Sequence, residues 1–260
     1  MASPEILAIE QLSLHFGGLT VLDQISLSVR PGELLALIGP NGAGKTSVLN
    51  CISGLYRPSQ GRILYEGAEI TGLAPHRAAE IGIARTFQHG GLFPQLTVRE
   101  NLLVGRHCHI RSNAFLDGLF LGPAKRMEIA ERALVEEVIE FVELERYRNQ
   151  RIAGLPFGLQ KVVGFARALA MAPKLMLLDE PSAGLNREEK ENLARFILRI
   201  KHEKNLPMIW VEHDMQMVAD LADRIYVLDY GGYITDGAPE DVLSDPKVIE
   251  IYLGRQGKAN

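Results

Sequence analysis

The feature that most limits the fold is an apolar run, Leu34-Leu35-Ala36-Leu37-Ile38, leading straight into Gly39-Pro40-Asn41-Gly42-Ala43-Gly44-Lys45-Thr46. Five apolar residues without polar alternation are what a strand buried on both faces of a parallel sheet requires. The octapeptide fits G-x-x-x-x-G-K-[ST], in which glycines let the backbone curl until several N–H groups converge on phosphate oxygens. A helix beginning at its end adds the positive end of its dipole. Lys45 supplies a cation for the β- and γ-phosphates, and Thr46 a hydroxyl for Mg2+. This order of strand, loop and helix predicts an α/β sheet that binds a nucleoside triphosphate.

Three more apolar runs have the same character: Leu175–Leu178, Met208–Val211 and Ile225–Leu228. The first ends in Asp179-Glu180, at the carboxyl edge where α/β sheets place ligands. Asp179 is expected to hold Mg2+, directly or through water, and Glu180 to polarise the attacking water. The second ends in Glu212-His213, which brings His213 to the same edge, within reach of a γ-phosphate and its water. Gln88, after Arg85-Thr86-Phe87, is a further candidate.

The rest of the chain is read from periodicity and turn residues. Ile6–Ile9, Leu12–Phe16 and Ile25–Val29 read as N-terminal strands, residues 61–70 as a small hairpin, and residues 82–87 as leading into a loop. From Lys125 to Arg148 the apolar positions Met127, Ala130, Leu134, Val138 and Phe141 predict one amphipathic helix. It lies within a mostly helical insert at about residues 92–155. Asn186 followed by Glu189 predicts a capping box, opening a helix whose apolar face is Leu193, Phe196, Ile197 and Ile200.

Composition narrows the partners. The chain has 260 residues, 23% of them charged, with a formal net charge of −4, which disfavours a non-specific nucleic-acid binder. Cys51 and Cys108 form no C-x-x-C pair, so two reduced thiols are expected. Glu5 and Glu10 stand where a secretory signal would be basic, and no apolar stretch approaches the ~18 residues that span a bilayer. Membrane work would therefore require another chain to do the spanning.

Taken in order, the phosphate loop, Gln88, the helical insert, Leu155-Pro156-Phe157-Gly158-Leu159-Gln160, Asp179-Glu180, Ser182-Ala183-Gly184-Leu185-Asn186 and His213 resemble the nucleotide-binding subunit of ATP-binding-cassette transporters. Phe16-Gly17-Gly18-Leu19, Arg85-Thr86-Phe87-Gln88, Leu92-Phe93-Pro94, Val211-Glu212-His213-Asp214-Met215 and the tail Val248–Gly254 make it look most like the ATPases of branched-chain amino-acid importers. The resemblance implies an α/β fold: a P-loop NTPase (RecA-like) core with a mainly parallel sheet, an N-terminal antiparallel β subdomain and a helical subdomain insert. It implies one domain over residues 1–260. Residues 1–91 and 156–235 would form the ATPase core with its β subdomain, 92–155 the helical subdomain and 236–260 a C-terminal tail.

The resemblance also implies roles. Catalysis would fall to Glu180, His213 and Gln88. Nucleotide would be held by Phe16 stacking on adenine, by Gly39, Pro40, Asn41, Gly42, Ala43, Gly44, Lys45, Thr46 and Ser47, and by Gly158 acting in trans. Mg2+ would be held by Thr46, Gln88 and Asp179. The cofactors are ATP and Mg2+. The partners are membrane permease subunits, an identical or paralogous ATPase subunit in a head-to-tail dimer, and indirectly an extracytoplasmic solute-binding protein, with no nucleic acid. The implied location is peripheral, at the cytoplasmic face of the inner membrane. Pro156 and Phe157 depart from the general Leu-Ser-Gly-Gly-Gln signature, and Pro156 removes both a hydroxyl and a backbone N–H. Two other readings are a lipid- or lipopolysaccharide-exporting ATPase and a soluble cassette ATPase acting on nucleic acid or ribosomes. Against the latter, only residues 47–154 separate loop from signature, too few for a long coiled coil, and the chain carries a single cassette.

Overall fold

A computed structural model describes residues 5–86, 91–109 and 123–253 of the chain. Its centre is a six-stranded sheet in the order β10-β9-β3-β8-β7-β6. The strands are β3 (Leu34–Ile38), β6 (Ile83–Arg85), β7 (Leu175–Asp179), β8 (Met208–Val211), β9 (Arg224–Asp229) and β10 (Gly232–Gly237). All neighbours are parallel except β10, which runs antiparallel to β9 at the edge. The apolar runs of the sequence occupy the middle, and every residue of β3, β7 and β8 is buried. A second, four-stranded antiparallel sheet has the order β2-β1-β4-β5, from β1 (Leu7–Phe16), β2 (Leu19–Val29), β4 (Gln60–Tyr65) and β5 (Ala68–Glu69).

The pleat divides the core between two clusters. Leu34, Ala36 and Ile38 of β3 face the cluster that contains Val98, Val163, Phe165 and Ile197, while Leu35 and Leu37 face Val48, Leu49 and the antiparallel sheet. Each such leucine, isoleucine, valine or phenylalanine contributes roughly 1.5–3 kcal/mol by leaving water. The first face is covered by α3 (Val98–Gly105), α4 (Pro123–Phe141), α5 (Phe157–Ala170), α6 (Arg187–Lys204) and α7 (Met215–Leu221). The second carries α1 (Lys45–Ile52) and α2 (Pro75–Glu80). Two terminal helices, α8 (Pro239–Ser244) and α9 (Pro246–Leu253), seat Val242 and Val248 in the first cluster. Among the described residues no helix is long and apolar enough to cross a membrane.

Four local expectations change. The two N-terminal strands are one, β1; its register shifts between Ile9 and Leu12, where Gln11 takes φ 48, so the polar break is an irregularity in a strand rather than a turn. Residues 83–85 form β6, an edge strand parallel to β7 and too short to display a period. The helix expected to reach Arg148 stops at Phe141: Glu143 turns left-handed at φ 59, and the Leu144 N–H returns to the Ile139 carbonyl at 2.9 Å. A short 3-10 turn at Glu145–Tyr147 follows.

The buried stripe of α4 is also displaced from the one expected. Glu131, Val135 and Ile139 are buried, whereas Ala130 and Leu134 are exposed. Glu131 disguised the stripe because it is an acid. It enters the interior paired with Arg106, whose Nη1 also donates to the Ala170 carbonyl at 2.8 Å.

Candidate functional site

The candidate site lies where β3, β7 and β8 reach their carboxyl ends. Gly39 leaves β3 at φ +149, and a Cβ there would sit 2.1 Å from the Leu228 carbonyl oxygen of β9. Gly44, the N-cap of α1, takes φ +100, and its Cβ would meet Leu22 and the Val21 carbonyl of β2. Only glycine permits these two close approaches. Gly42 has φ +83 and open space beside it.

Lys45 is buried, and its Nζ donates to the carbonyls of Gly39 at 2.7 Å and Pro40 at 3.0 Å. Burial pulls the Lys45 ammonium below its ordinary pKa, while the Glu180 and Asp179 carboxylates act in the other direction. The Thr46 hydroxyl donates to Asp179 Oδ1 at 3.3 Å. Glu180 Oε1 lies 2.8 Å from His213 Nε2, which joins the ends of β7 and β8. Glu180 takes a left-handed φ of 47, unusual for a non-glycine residue, and its N–H is held by the Val211 carbonyl at 3.0 Å. His213 is fixed in turn by its own N–H, which donates to Glu212 Oε1 at 2.7 Å.

The structure therefore brings together Lys45, Thr46, Asp179, Glu180 and His213. Ser47 lies in the first turn of α1 behind them. Gln88 falls outside the described residues. Phe16 ends β1 half exposed, in a T-shaped pair with Tyr56 at 5.2 Å between ring centroids. Gly158 lies in the first turn of α5. It is buried, and a Cβ would lie 2.0 Å from Glu189 Oε1, so glycine there admits the capping box of α6. Pro156 is the N-cap of α5 without a side-chain bond, and Phe157 is 55% exposed.

Reading the sequence alone missed three residues. Arg85 of β6 places Nη2 2.7 Å from Asp179 Oδ2, with both side chains buried. Lys161 of α5 stands in the field of Glu180, Glu212 and Asp179; burial lowers its pKa and those three acids oppose the shift. Tyr252 of α9 is packed against the core, and burial pushes its phenol up to about 12, with the Gly39 N–H opposing and Asp229 reinforcing. No local pattern marks any of the three, because each acquires meaning from a residue far away in the chain.

The donor set suits a metal–nucleotide complex. Among the described residues no group of three or more His, Cys, Asp or Glu side chains is placed to hold a metal. One hydroxyl and one carboxylate, Thr46 and Asp179, are what Mg2+ uses when substrate phosphates and water complete its shell. The loop N–H groups and Lys45 fit phosphates, and Glu180 backed by His213 fits a water-activating pair. Phosphate-holding and water-activating halves meet along one sheet edge, and that combination is the working layout of a P-loop ATPase.

The comparisons carry this further. Residues 22–183 match the ABC transporter family model, and residues 234–258 match that of the branched-chain amino acid ATP-binding cassette transporter. The high-affinity branched-chain amino acid transport ATP-binding protein BraF of Pseudomonas aeruginosa is 40% identical over 97% of this chain and 99% of its own length. The corresponding LivG protein of Salmonella typhimurium is 39% identical over 97% and 99%. An ATP-binding cassette of an ABC transporter, crystallised in its ADP conformation, superposes with a TM-score of 0.85 at 34% identity, covering 97% of this chain and all of the other. The chain belongs to the ABC transporter family, as an ATP-binding subunit that hydrolyses ATP.

Proposed function

We propose that the chain energises an importer of branched-chain amino acids or related small hydrophobic or amide solutes, working through a separate membrane permease. The observation that carries this is the cluster of Thr46–Asp179 and Glu180–His213 pairs beside Lys45, in a chain alike along nearly its whole length to branched-chain amino acid transport ATPases.

On this reading Lys45 and the loop N–H groups of Gly39 to Thr46 hold the β- and γ-phosphates. Thr46 and Asp179 hold Mg2+, which neutralises charge on the transferring phosphoryl group. Glu180 polarises the attacking water, and His213 positions that carboxylate and touches the γ-phosphate. Gln88, three residues beyond the end of β6 in sequence, completes the set. Phe16 stacks on adenine. The start of α5, with Pro156 and Phe157 exposed and Gly158 beneath them, caps the γ-phosphate held by an identical or paralogous ATPase subunit, so two ATP molecules are sandwiched in a head-to-tail dimer. Residues 92–155 pass the resulting motion to the permease at the cytoplasmic face of the membrane, and a solute-binding protein delivers cargo on the other side.

Two measurements test the reading together. Phosphate release from MgATP, assayed with the chain co-expressed with permease subunits, is expected to rise on association, and the chain is expected to co-purify with them. A chain that never associates with a permease contradicts the proposal, as would preferential purification with nucleic acid or ribosomes.

A further inference from the structure

Asp179 is held from two sides by different groups. Its Oδ1 accepts from the Thr46 hydroxyl at 3.3 Å, and its Oδ2 is engaged by Arg85 Nη2 at 2.7 Å. The guanidinium does not end there. Arg85 Nη1 donates to Asn50 Oδ1 at 2.5 Å and to Ser53 Oγ at 3.2 Å, the one within α1 and the other just beyond it. Asp179 is 2% exposed and Arg85 8% by side chain, so water does not screen the pair. Backbone contacts fix the geometry: β6 pairs in parallel with β7 through Arg85 and Leu177, and the Asp179 N–H donates to the Thr86 hydroxyl at 3.2 Å. One planar fork thus links the edge strand β6, the phosphate-loop helix α1 and the carboxylate at the end of β7.

We propose that Arg85 is a positioning residue of the nucleotide site, locking one oxygen of the Asp179 carboxylate so that only the other is presented beside Thr46 to the cation of a bound nucleotide. A planar guanidinium with several donors can hold a carboxylate and two oxygen acceptors at once, which a lysine ammonium on a flexible stem does less well. The inference rests on the reading that Asp179 serves the Mg2+ of a bound nucleotide. It adds a mechanical consequence: because the same fork grips Asn50 and Ser53, displacement of α1 by nucleotide is felt directly at the carboxylate. A bare strut between β6 and β7 would need no hold on α1.

The test is equilibrium binding of a fluorescent ADP to the full chain, with and without Mg2+. Wild type, Arg85→Lys, Arg85→Met and Asn50→Ala are compared, and thermal melting confirms folding. Groups that orient a metal ligand usually govern metal affinity by about tenfold or more, so Arg85→Met should lose most of the gain that Mg2+ confers. Its Mg2+-free ADP affinity should stay within about twofold of wild type. Arg85→Lys should keep part of the gain, and Asn50→Ala should show a smaller loss. A wild-type Mg2+ gain in Arg85→Met overturns the inference. If Arg85→Met does not fold, an unchanged gain in both Arg85→Lys and Asn50→Ala overturns it equally. Failure of the wild-type chain to bind ADP at all would instead remove the underlying reading of the site.

Discussion

Glu180 and Lys45 separate the two things the site must do. Glu180 is bonded to His213, so Glu180→Gln should leave nucleotide binding within a fewfold of wild type while cutting phosphate release about 10²–10⁴-fold. Lys45 already uses its donors inside the loop, so Lys45→Ala should weaken nucleotide binding itself, measured by the same fluorescent titration. The motif residues were legible in the sequence because the chemistry demands their types: glycines for the close approach to Leu228 and Val21, an ammonium, a hydroxyl, and two acids at a strand end. Arg85, Lys161 and Tyr252 were not legible. An arginine in a three-residue strand acquires its role only when β6 pairs with β7 and brings residue 85 to residue 179.

At the level of elements, caps and short helices carry the testable consequences. The capping box that opens α6, with Asn186 accepting from the Glu189 N–H at 3.0 Å and Glu189 returning to the Asn186 N–H at 2.9 Å, should be worth about 1 kcal/mol. Asn186→Ala should lower the unfolding free energy by that amount in denaturant titrations, and it loosens Glu189 where it covers Gly158. The N-cap of α7 adds a pH signature. Asp214 is held below its usual pKa, chiefly by its hydrogen bond from Lys190, helped by the Met217 N–H. A depressed acid contributes stability that is fully present above the unfolded value of about 3.9 and is lost as pH falls through the folded one. The melting-temperature gap between wild type and Asp214→Ala should therefore be open at neutral pH and narrow in acid below that value. The Asn186 box was readable because Asn and Glu at that spacing advertise it. The end of α4 was not, since nothing in the apolar spacing before Glu143 announces a left-handed turn. Its buried stripe was hidden because an acid, Glu131, fills an inward position and is neutralised by Arg106 from another helix.

For the whole molecule, the sheet order places the phosphate loop, both acids and the histidine on one edge, while exposed Phe157 belongs to the start of α5 and not to that edge. On the proposed reading, a single copy thus offers the cluster of Lys45, Thr46, Asp179, Glu180 and His213 for its own nucleotide and the start of α5 for another subunit's. The weak point of that segment is Pro156, which supplies neither hydroxyl nor N–H. In the assembled complex, Pro156→Ser should raise ATP hydrolysis above wild type; hydrolysis no faster than wild type would count against a trans role for this segment. The central claim is that hydrolysis at Glu180 drives solute inward through a partner permease. Its most direct test is uptake of radiolabelled leucine into proteoliposomes carrying the chain with its permease, supplied with binding protein outside and MgATP inside. The account predicts ATP-dependent accumulation that disappears when Glu180→Gln replaces the wild-type chain. Accumulation that persists in Glu180→Gln, or that never depends on ATP, would contradict it.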